Sequence, residues 1–218
     1  MKVATPLRHF SISGENGLEI GQNSGVDGHL NRIYSTPWVG SPRNAENREA
    51  LAVHHDALMT LKITSTAFQQ AGSIPSKYTC EGPDVSPPLA WSGVPAKAKT
   101  LALIVDDPDA PDPAKPQRVY VHWVVYNIPA DTPSLSENAS KTGMPKGAVQ
   151  GKNDWGKAEY GGPCPPIGRH RYFFKLYALD TELTGMRSAT KADLERAMNG
   201  HVLDTGEMMG TYQKAASR

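Results

Sequence analysis

The sequence of 218 residues has few cysteines, few aromatic residues and no excess of charge of either sign. Its 23 basic and 22 acidic residues form no basic run, which argues against a nucleic-acid-binding protein. It contains no run of roughly 18–20 apolar residues, so no membrane span is predicted. Residues 1–10 also lack the apolar segment of a secretory signal. We therefore expect a cytoplasmic protein.

The two cysteines, Cys80 and Cys164, form no Cys-x-x-Cys pair, which excludes zinc ribbons and thioredoxin-like centres. Two interpretations remain open. In a cytosolic protein both thiols are expected to be reduced. Alternatively, a disulfide closes a loop of more than 80 residues, which the chain-entropy model values at roughly 4–5 kcal/mol.

Residues 1–58 are polar and rich in glycine, with no sustained periodicity apart from a short helix predicted over residues 44–58. Such a segment buries too little apolar surface to offset its ordering entropy. We expect a disordered tail, or an over-extended N-terminus with Met59 as the true start, followed by one domain over residues 59–218. The pair His54 and His55 is a weak metal signal, and we predict no metal and no cofactor.

Apolar runs from Leu61 onward predict strands at residues 61–65, 89–91, 99–105, 118–128 and 171–179, the third of them central. A helix is predicted after Thr190, which can cap it, and before Gly200, which ends it. A second short helix over residues 202–209 and a closing strand at residues 211–214 complete the chain. Many strands joined by loops rich in glycine and proline, with helices near the end, predict a mainly antiparallel β fold.

Two aspartates follow the central predicted strand directly. Asp107 and Asp109 stand in Asp-Pro-Asp-Ala-Pro, residues 107–111, where the prolines fix the backbone of a stiff corner and one of them is expected to be cis. One alternative is a rigid turn whose aspartates face solvent. Another is the Asp-x-Asp motif with which sugar-nucleotide transferases bind a divalent cation.

Two histidines and a tyrosine lie at or near the starts of predicted strands. Strand alternation places His122 on the face opposite Val121 and Trp123, and His170 stands two residues before Tyr172. A single histidine in a strand is more often structural than functional. Two imidazoles near one carboxylate, however, make a site that can be cationic near neutral pH.

If the three strands meet in one sheet, these side chains converge on one small pocket suited to a compact anion, such as a phosphoryl or carboxylate group. His122 and His170 would donate hydrogen bonds to the anion, and Asp107 would orient an imidazole. A nucleophile is not evident, because Gly-x-Ser-x-Gly is absent. Cys164 with His170 resembles a thiol hydrolase, but prolines on both sides of Cys164 favour a fixed loop.

A loop over residues 161–168 contains Gly162, Pro163 and Cys164. It lacks the Lys-Ser/Thr ending of a phosphate-binding P-loop. It is either a structural crossover or a pocket wall whose backbone N–H groups face an anion.

Together these motifs resemble the phosphatidylethanolamine-binding protein (PEBP) family, also called Raf kinase inhibitor-like, and most closely its bacterial and archaeal YbhB/YbcL branch. The resemblance covers residues 61–214 and rests on the following segments: residues 78–82, 84–91, 106–111, 121–129, 150–156, 160–166 and 168–172.

The resemblance implies a large central antiparallel sheet, a smaller second sheet, a few C-terminal helices and an anion pocket at one end. The ligand-binding positions that it implies are Asp107, Asp109, His122, His170, Tyr172, Gly162, Pro163 and Cys164. Cys164 departs from the proline of animal members, and Cys80 and Cys164 are a candidate redox pair at the pocket rim.

We therefore expect a non-enzymatic protein that binds a small anion or a phospholipid head group and has a regulatory or inhibitory role. Its partners would be phosphate or a phosphorylated head group and a protein target, but no nucleic acid, and it would be a monomer or a homodimer. The alternatives are an inhibitor that acts by binding a protease or kinase, and a small-molecule hydrolase.

Overall fold

A computed structural model describes residues 60–215 of the chain. The predicted tail over residues 1–58, its short helix and the pair His54 and His55 lie outside the described residues. The strands are β1 Lys62–Thr64, β2 Leu89–Ser92, β3 Thr100–Asp107, β4 Tyr120–Pro129, β5 Ser134–Leu135, β6 Val149–Gln150, β7 His170–Leu179 and β8 Val202–Tyr212. The helices are a 3-10 turn at Ser76–Tyr78, α1 Ala139–Thr142 and α2 Lys191–Met198.

Within residues 60–215 these strands form two antiparallel sheets. The larger sheet has the order β6-β4-β3-β7-β8 and the smaller has the order β1-β2-β5. The predicted fold class, a mainly antiparallel β protein with a large and a small sheet, is confirmed. No helix in this part of the chain has the length and apolarity needed to cross a bilayer.

Strand β3 is the central strand, as its continuous apolar run predicts, and all eight of its residues are buried. Leu103 and Val105 face the core between the two sheets. Ala102 and Ile104 face a second core on the other side, which Leu194 of α2 closes. A strand covered on both faces needs apolar side chains at every position, which explains the lack of alternation.

Helix α2 begins as predicted. The Thr190 hydroxyl accepts a hydrogen bond from the Asp193 backbone N–H, and the Asp193 carboxylate accepts one from the Thr190 N–H. This reciprocal capping satisfies two backbone donors that a helix start leaves free. Leu194 and Met198 then bury one face of the helix against the sheet.

The predicted helix at residues 202–209 is wrong, because this segment is the first part of β8. Every second residue from Gly206 onward is buried, with Met208, Gly210 and Tyr212 on the same face. That period of two belongs to a strand. The two glycines weaken a helix and allow close packing here, since a Cβ on Gly206 would overlap the carbonyl oxygen of Leu61.

Candidate functional site

A cavity of about 300 Å³ opens where three strands of the large sheet meet. The end of β3 lies beside the starts of β4 and β7, because both neighbours run antiparallel to it. The cavity is lined by Asp107, Ala110, Pro111, Tyr120, His122, Trp155, Cys164, Pro165, Pro166, His170 and Tyr172. Five predicted site residues are therefore brought together here, and Asp109, Gly162 and Pro163 are not among the lining residues.

Asp107 and His170 form a buried ion pair where β3 ends and β7 begins. The Asp107 Oδ2 atom lies 2.7 Å from His170 Nδ1, and Asp107 Oδ1 accepts a hydrogen bond of 2.8 Å from the Asp109 N–H. His170 Nε2 lies 2.9 Å from the carbonyl oxygen of Ile167. Both ring nitrogens thus face acceptors, and only the doubly protonated imidazolium satisfies both. This arrangement leaves His170 no free N–H for a ligand, which differs from the direct donation expected from the sequence.

His122 is the extra residue of a β-bulge in β4. Val105 pairs with Trp123 and Asp106 pairs with Val121, so the register skips His122. Bulges break strand alternation and re-aim a side chain. Val121 therefore packs under α2 while Trp123 packs between the sheets, and the sequence-based placement of both on one face is wrong.

The protonation of the His122 ring follows from its neighbours. Its Nδ1 atom lies 2.7 Å from the carbonyl oxygen of Gly161, which can only accept, so Nδ1 carries the proton. The pKa of the imidazole is lowered, because burial disfavours its charged form. The hydrogen bond to Gly161 and the charge of Asp107 raise this pKa, but by less than burial lowers it. The Nε2 atom of the neutral ring then carries a lone pair and can accept a hydrogen bond. It has no hydrogen-bond partner within residues 60–215.

Aromatic rings surround the His122 imidazole. The ring centroids of Tyr120, Trp155 and Tyr172 lie 5.6, 5.2 and 5.1 Å from its own. The buried hydroxyl of Tyr172 has no hydrogen-bond partner among the described residues. Burial first, and then the charge of Asp107, raise the pKa of this hydroxyl, so it remains a potential donor.

Sequence reasoning missed Tyr120 and Trp155 as cavity residues. Tyr120 stands two positions before His122, a spacing that could have indicated a shared face. Trp155 is 44% exposed, and its place in a long loop offered no periodic signal.

The Ala110–Pro111 peptide bond is cis, as expected for one proline of the 107–111 segment.

Asp109 lies beside the cavity and is held by Arg171. Its carboxylate accepts hydrogen bonds from the Arg171 Nε and Nη2 atoms at 2.9 and 2.6 Å and from the Arg171 backbone N–H. These bonds hold the pKa of Asp109 below its usual value. Because Asp107 is bound to His170 and Asp109 to Arg171, neither supports the Asp-x-Asp metal interpretation.

A disulfide joins Cys80 to Cys164, with 5.4 Å between the Cα atoms. The expectation of two reduced thiols is therefore wrong, and the long-range disulfide is the alternative that holds. The bond fixes the loop of residues 161–168, since Cys164 lines the cavity and Cys80 belongs to the segment after the 3-10 turn.

Hydrogen bonds hold the same loop. The Gly162 N–H donates to Asp84 Oδ1 at 2.7 Å, and the Pro163 carbonyl accepts from the Cys80 N–H at 3.1 Å. The Gly161 N–H donates to the His122 carbonyl. The two glycine N–H groups are thus occupied, so this loop does not present them to an anion as one sequence interpretation held. Gly162 instead lines a smaller adjoining cavity of about 190 Å³.

The two antiparallel sheets, with a small cavity lined by imidazole, phenol and carboxylate groups, define a mainly β class of domain. The family model described as phosphatidylethanolamine-binding protein matches residues 64–213. A UPF0098 protein of Methanothermobacter thermautotrophicus is 52% identical over 155 residues, covering 71% of this chain and 99% of the relative. The chain therefore belongs to the phosphatidylethanolamine-binding protein family, and the resemblance found in the sequence is confirmed.

Solved structures agree with this assignment. The crystal structure of the putative PEBP homologue CT736 from Chlamydia trachomatis has a TM-score of 0.66 and 44% identity, covering 72% of this chain and 99% of that one. The crystal structure of YbcL from E. coli, titled a new member of the mammalian PEBP family, has a TM-score of 0.65 and 37% identity, with coverage of 71% and 99%.

Proposed function

We propose that this protein binds a small anionic group, such as phosphate or a phosphorylated lipid head group, in the cavity between Asp107, His122, His170 and Tyr172. The observation that carries the proposal is the convergence of imidazole, phenol and carboxylate groups from three strands on one cavity of about 300 Å³. The buried hydroxyl of Tyr172 has no partner among the described residues, and a buried donor without a partner costs about 1–3 kcal/mol. A small shift of this side chain toward a bound ligand oxygen would satisfy the hydroxyl and remove that cost.

The charges around the cavity are nearly balanced, so a bound anion would be held by hydrogen bonds and not by a net positive charge. The imidazolium of His170 is balanced by Asp107, and His122 is neutral, so the site has no large net charge of its own. A volume of about 300 Å³ fits a compact group better than a whole lipid. A phosphorylated head group is therefore the ligand class that we propose.

The cavity favours binding over catalysis. Cys164 is bound in a disulfide and has no thiolate to attack a substrate. Both ring nitrogens of His170 face protein acceptors, so it has no free lone pair to act as a base. A hydrolase that uses Cys164 as nucleophile and His170 as base lacks both groups while the disulfide is intact.

Replacement of Tyr172 tests the proposal directly. Isothermal titration of inorganic phosphate and of phosphorylethanolamine into the protein should show saturable binding. Tyr172→Phe should weaken binding about tenfold, the worth of one hydrogen bond of about 1.4 kcal/mol. Tyr177→Phe is the matched control, since Tyr177 lies in the same strand but packs toward α2. Equal affinity in wild type and Tyr172→Phe, or no binding to wild type at millimolar ligand, would contradict the proposal.

A second candidate is inhibition of a protease or kinase through direct binding, and exposed apolar side chains near the cavity favour it. Trp155, Val119 and Ile167 are 44%, 44% and 57% exposed. Val119 precedes the lining residue Tyr120, and the Ile167 carbonyl accepts from His170. A contiguous exposed apolar patch beside the cavity would be typical of a surface that contacts a macromolecule.

Two variants separate this candidate from the anion site. Ile167→Ser should abolish inhibition or capture of a protein target and leave phosphate binding unchanged. Tyr172→Phe should do the reverse. A regulatory role that depends on both activities would be lost in either variant.

The cytoplasmic location also remains a proposal. The Cys80–Cys164 disulfide bears on it, because disulfides are commoner in oxidising compartments. Alkylation of free thiols in freshly lysed cells, followed by mass analysis, tests it. Cys80 and Cys164 alkylated in the native state would indicate a reducing compartment.

A further inference from the structure

The orientation of His122 restricts which anions suit the cavity. Its Nδ1 proton is committed to the Gly161 carbonyl at 2.7 Å, so the ring can approach a ligand only through Nε2. In the neutral ring that atom is a hydrogen-bond acceptor. An oxyanion without a hydrogen offers only further acceptors to it.

We propose that the cavity selects oxyanions that carry or take up a proton, as phosphate monoesters do, over equally charged oxyanions that do not, such as sulfate. One proton would lie between a ligand oxygen and Nε2 of His122, while the hydroxyl of Tyr172 donates to a second ligand oxygen. This inference rests on the anion site proposed above and specifies its ligand chemistry.

The chemistry of the two anions makes the distinction sharp. A phosphate monoester has a second pKa near 6, so near neutral pH it can hold a proton at little cost. Sulfate is too weak a base to do so, and it would require protonation of the buried His122 ring itself. Burial opposes that protonation, because it disfavours the charged imidazole.

The charged groups that face His122 do not favour protonation of its Nε2 atom. The carboxylates around it are each paired with a cation: Asp107 with His170, Asp106 with Lys175 and Lys191, and Asp154 with Arg118. The other titratable neighbours are Tyr120 and Tyr172, and burial raises the pKa of both hydroxyls, which keeps them neutral. No unpaired carboxylate among these groups stabilises an imidazolium at position 122.

The test compares inorganic phosphate with inorganic sulfate, which are close in size and both mainly dianions at about pH 8. Isothermal titration in two buffers of different ionisation enthalpy measures affinity and proton uptake together. We expect phosphate to bind at least about tenfold more tightly than sulfate, because its dianion still carries a hydrogen. Phosphorylethanolamine, whose phosphate dianion carries no hydrogen, should bind with close to one proton taken up at this pH. Its affinity should then fall about tenfold per pH unit above neutrality.

His122→Phe removes the acceptor nitrogen, supplies no other acceptor and should bring the two affinities to within about threefold. His201→Phe is the matched control, because His201 Nδ1 also contacts an acceptor, Asp180 at 2.8 Å, but does not line the cavity. If His122→Phe does not fold, nitrogen-15 NMR of the wild-type rings serves instead. The free protein near pH 7 should show His122 protonated at Nδ1 alone.

The possible outcomes separate this inference from the anion site. If neither anion binds at millimolar concentration, the anion site itself is wrong. Equal binding of phosphate and sulfate, or binding of phosphorylethanolamine without proton uptake, would leave the site in place and overturn the selection for a proton. An imidazolium at His122 in the free protein would overturn it as well.

Discussion

The carboxylate of Asp107 and the imidazole of His170 are in contact at 2.7 Å, with side chains 4% and 0% exposed. Asp107 is the last residue of β3 and His170 the first residue of β7. The pair therefore joins two neighbouring strands at the point where the cavity opens.

Asp107→Asn should lower the free energy of unfolding by about 3 kcal/mol, because it removes one partner of a buried ion pair and leaves the imidazolium uncompensated. Urea denaturation at neutral pH measures the change. Asp112→Asn is the control, since Asp112 Oδ1 accepts only from the Ala114 N–H in a turn. A loss under about 1 kcal/mol would show that His170 is neutral or that the pair contributes little.

Arg171→Met should destabilise the protein by about 1–3 kcal/mol near neutral pH, because Asp109 loses a bidentate charge-assisted partner. The pKa of Asp109 is lowered in the fold, chiefly by Arg171. The stability that this carboxylate provides is therefore full above its unfolded pKa of about 3.9 and is lost as pH falls through the lower folded value.

The difference between wild type and Arg171→Met should accordingly be larger at about pH 6 than at about pH 3. Urea midpoints at the two pH values measure it. Arg169→Met is the matched control, because Arg169 contacts the Thr211 hydroxyl at 3.4 Å and no carboxylate within the described chain. A difference that does not change with pH would mean that packing of the Arg171 stem, not its charge, stabilises the fold.

The fold could be predicted largely because its strong signals are local. The unbroken apolar run of β3 indicated a central strand, and Thr190 with Asp193 indicated a capped helix. The prediction of a helix over residues 202–209 was wrong, because the alternation of Gly206, Met208 and Gly210 is too short to distinguish a strand from a weak helix. The partner strand of this segment, β7, lies about 30 residues earlier in the chain and decides the outcome.

The site could be predicted as a set of residues but not as a set of contacts. Motif positions and the family resemblance indicated Asp107, His122, His170 and Tyr172. The bulge at His122 depends on the register between β3 and β4, which no single strand encodes. The Nε2 atom of His170 is occupied by the backbone carbonyl of Ile167, and no sequence motif indicates a contact with a backbone group.

Gly162→Ala should destabilise the protein by about 1–3 kcal/mol, because a Cβ would overlap the Tyr78 carbonyl oxygen and the Asp84 carboxylate. The cavity wall would then move and weaken phosphate binding. Gly143→Ala is the control, since its Cβ would meet no atom within 4 Å. Thermal denaturation and phosphate titration of both variants measure the effect. If Gly162→Ala is as stable as Gly143→Ala, the loop relaxes more readily than its contacts indicate.

Reduction of the Cys80–Cys164 disulfide should loosen the cavity wall without unfolding the domain. Both cysteines are exposed to a reductant, and the hydrogen bonds of Gly162 and Pro163 still hold the loop when the bond is open. The bond spans 84 positions, so its loss should lower the unfolding free energy by about 2–4 kcal/mol. Phosphate affinity should fall in parallel, because Cys164 lines the cavity.

The double variant Cys80→Ser/Cys164→Ser is the matched control for this experiment. It should reproduce the weaker phosphate binding of the reduced protein and should not respond to reductant. The candidate redox pair then acts through the bond itself and not through a side effect of the reagent. If the reduced protein and the double variant both bind phosphate as the oxidised protein does, the disulfide is structural and the cavity does not sense redox state.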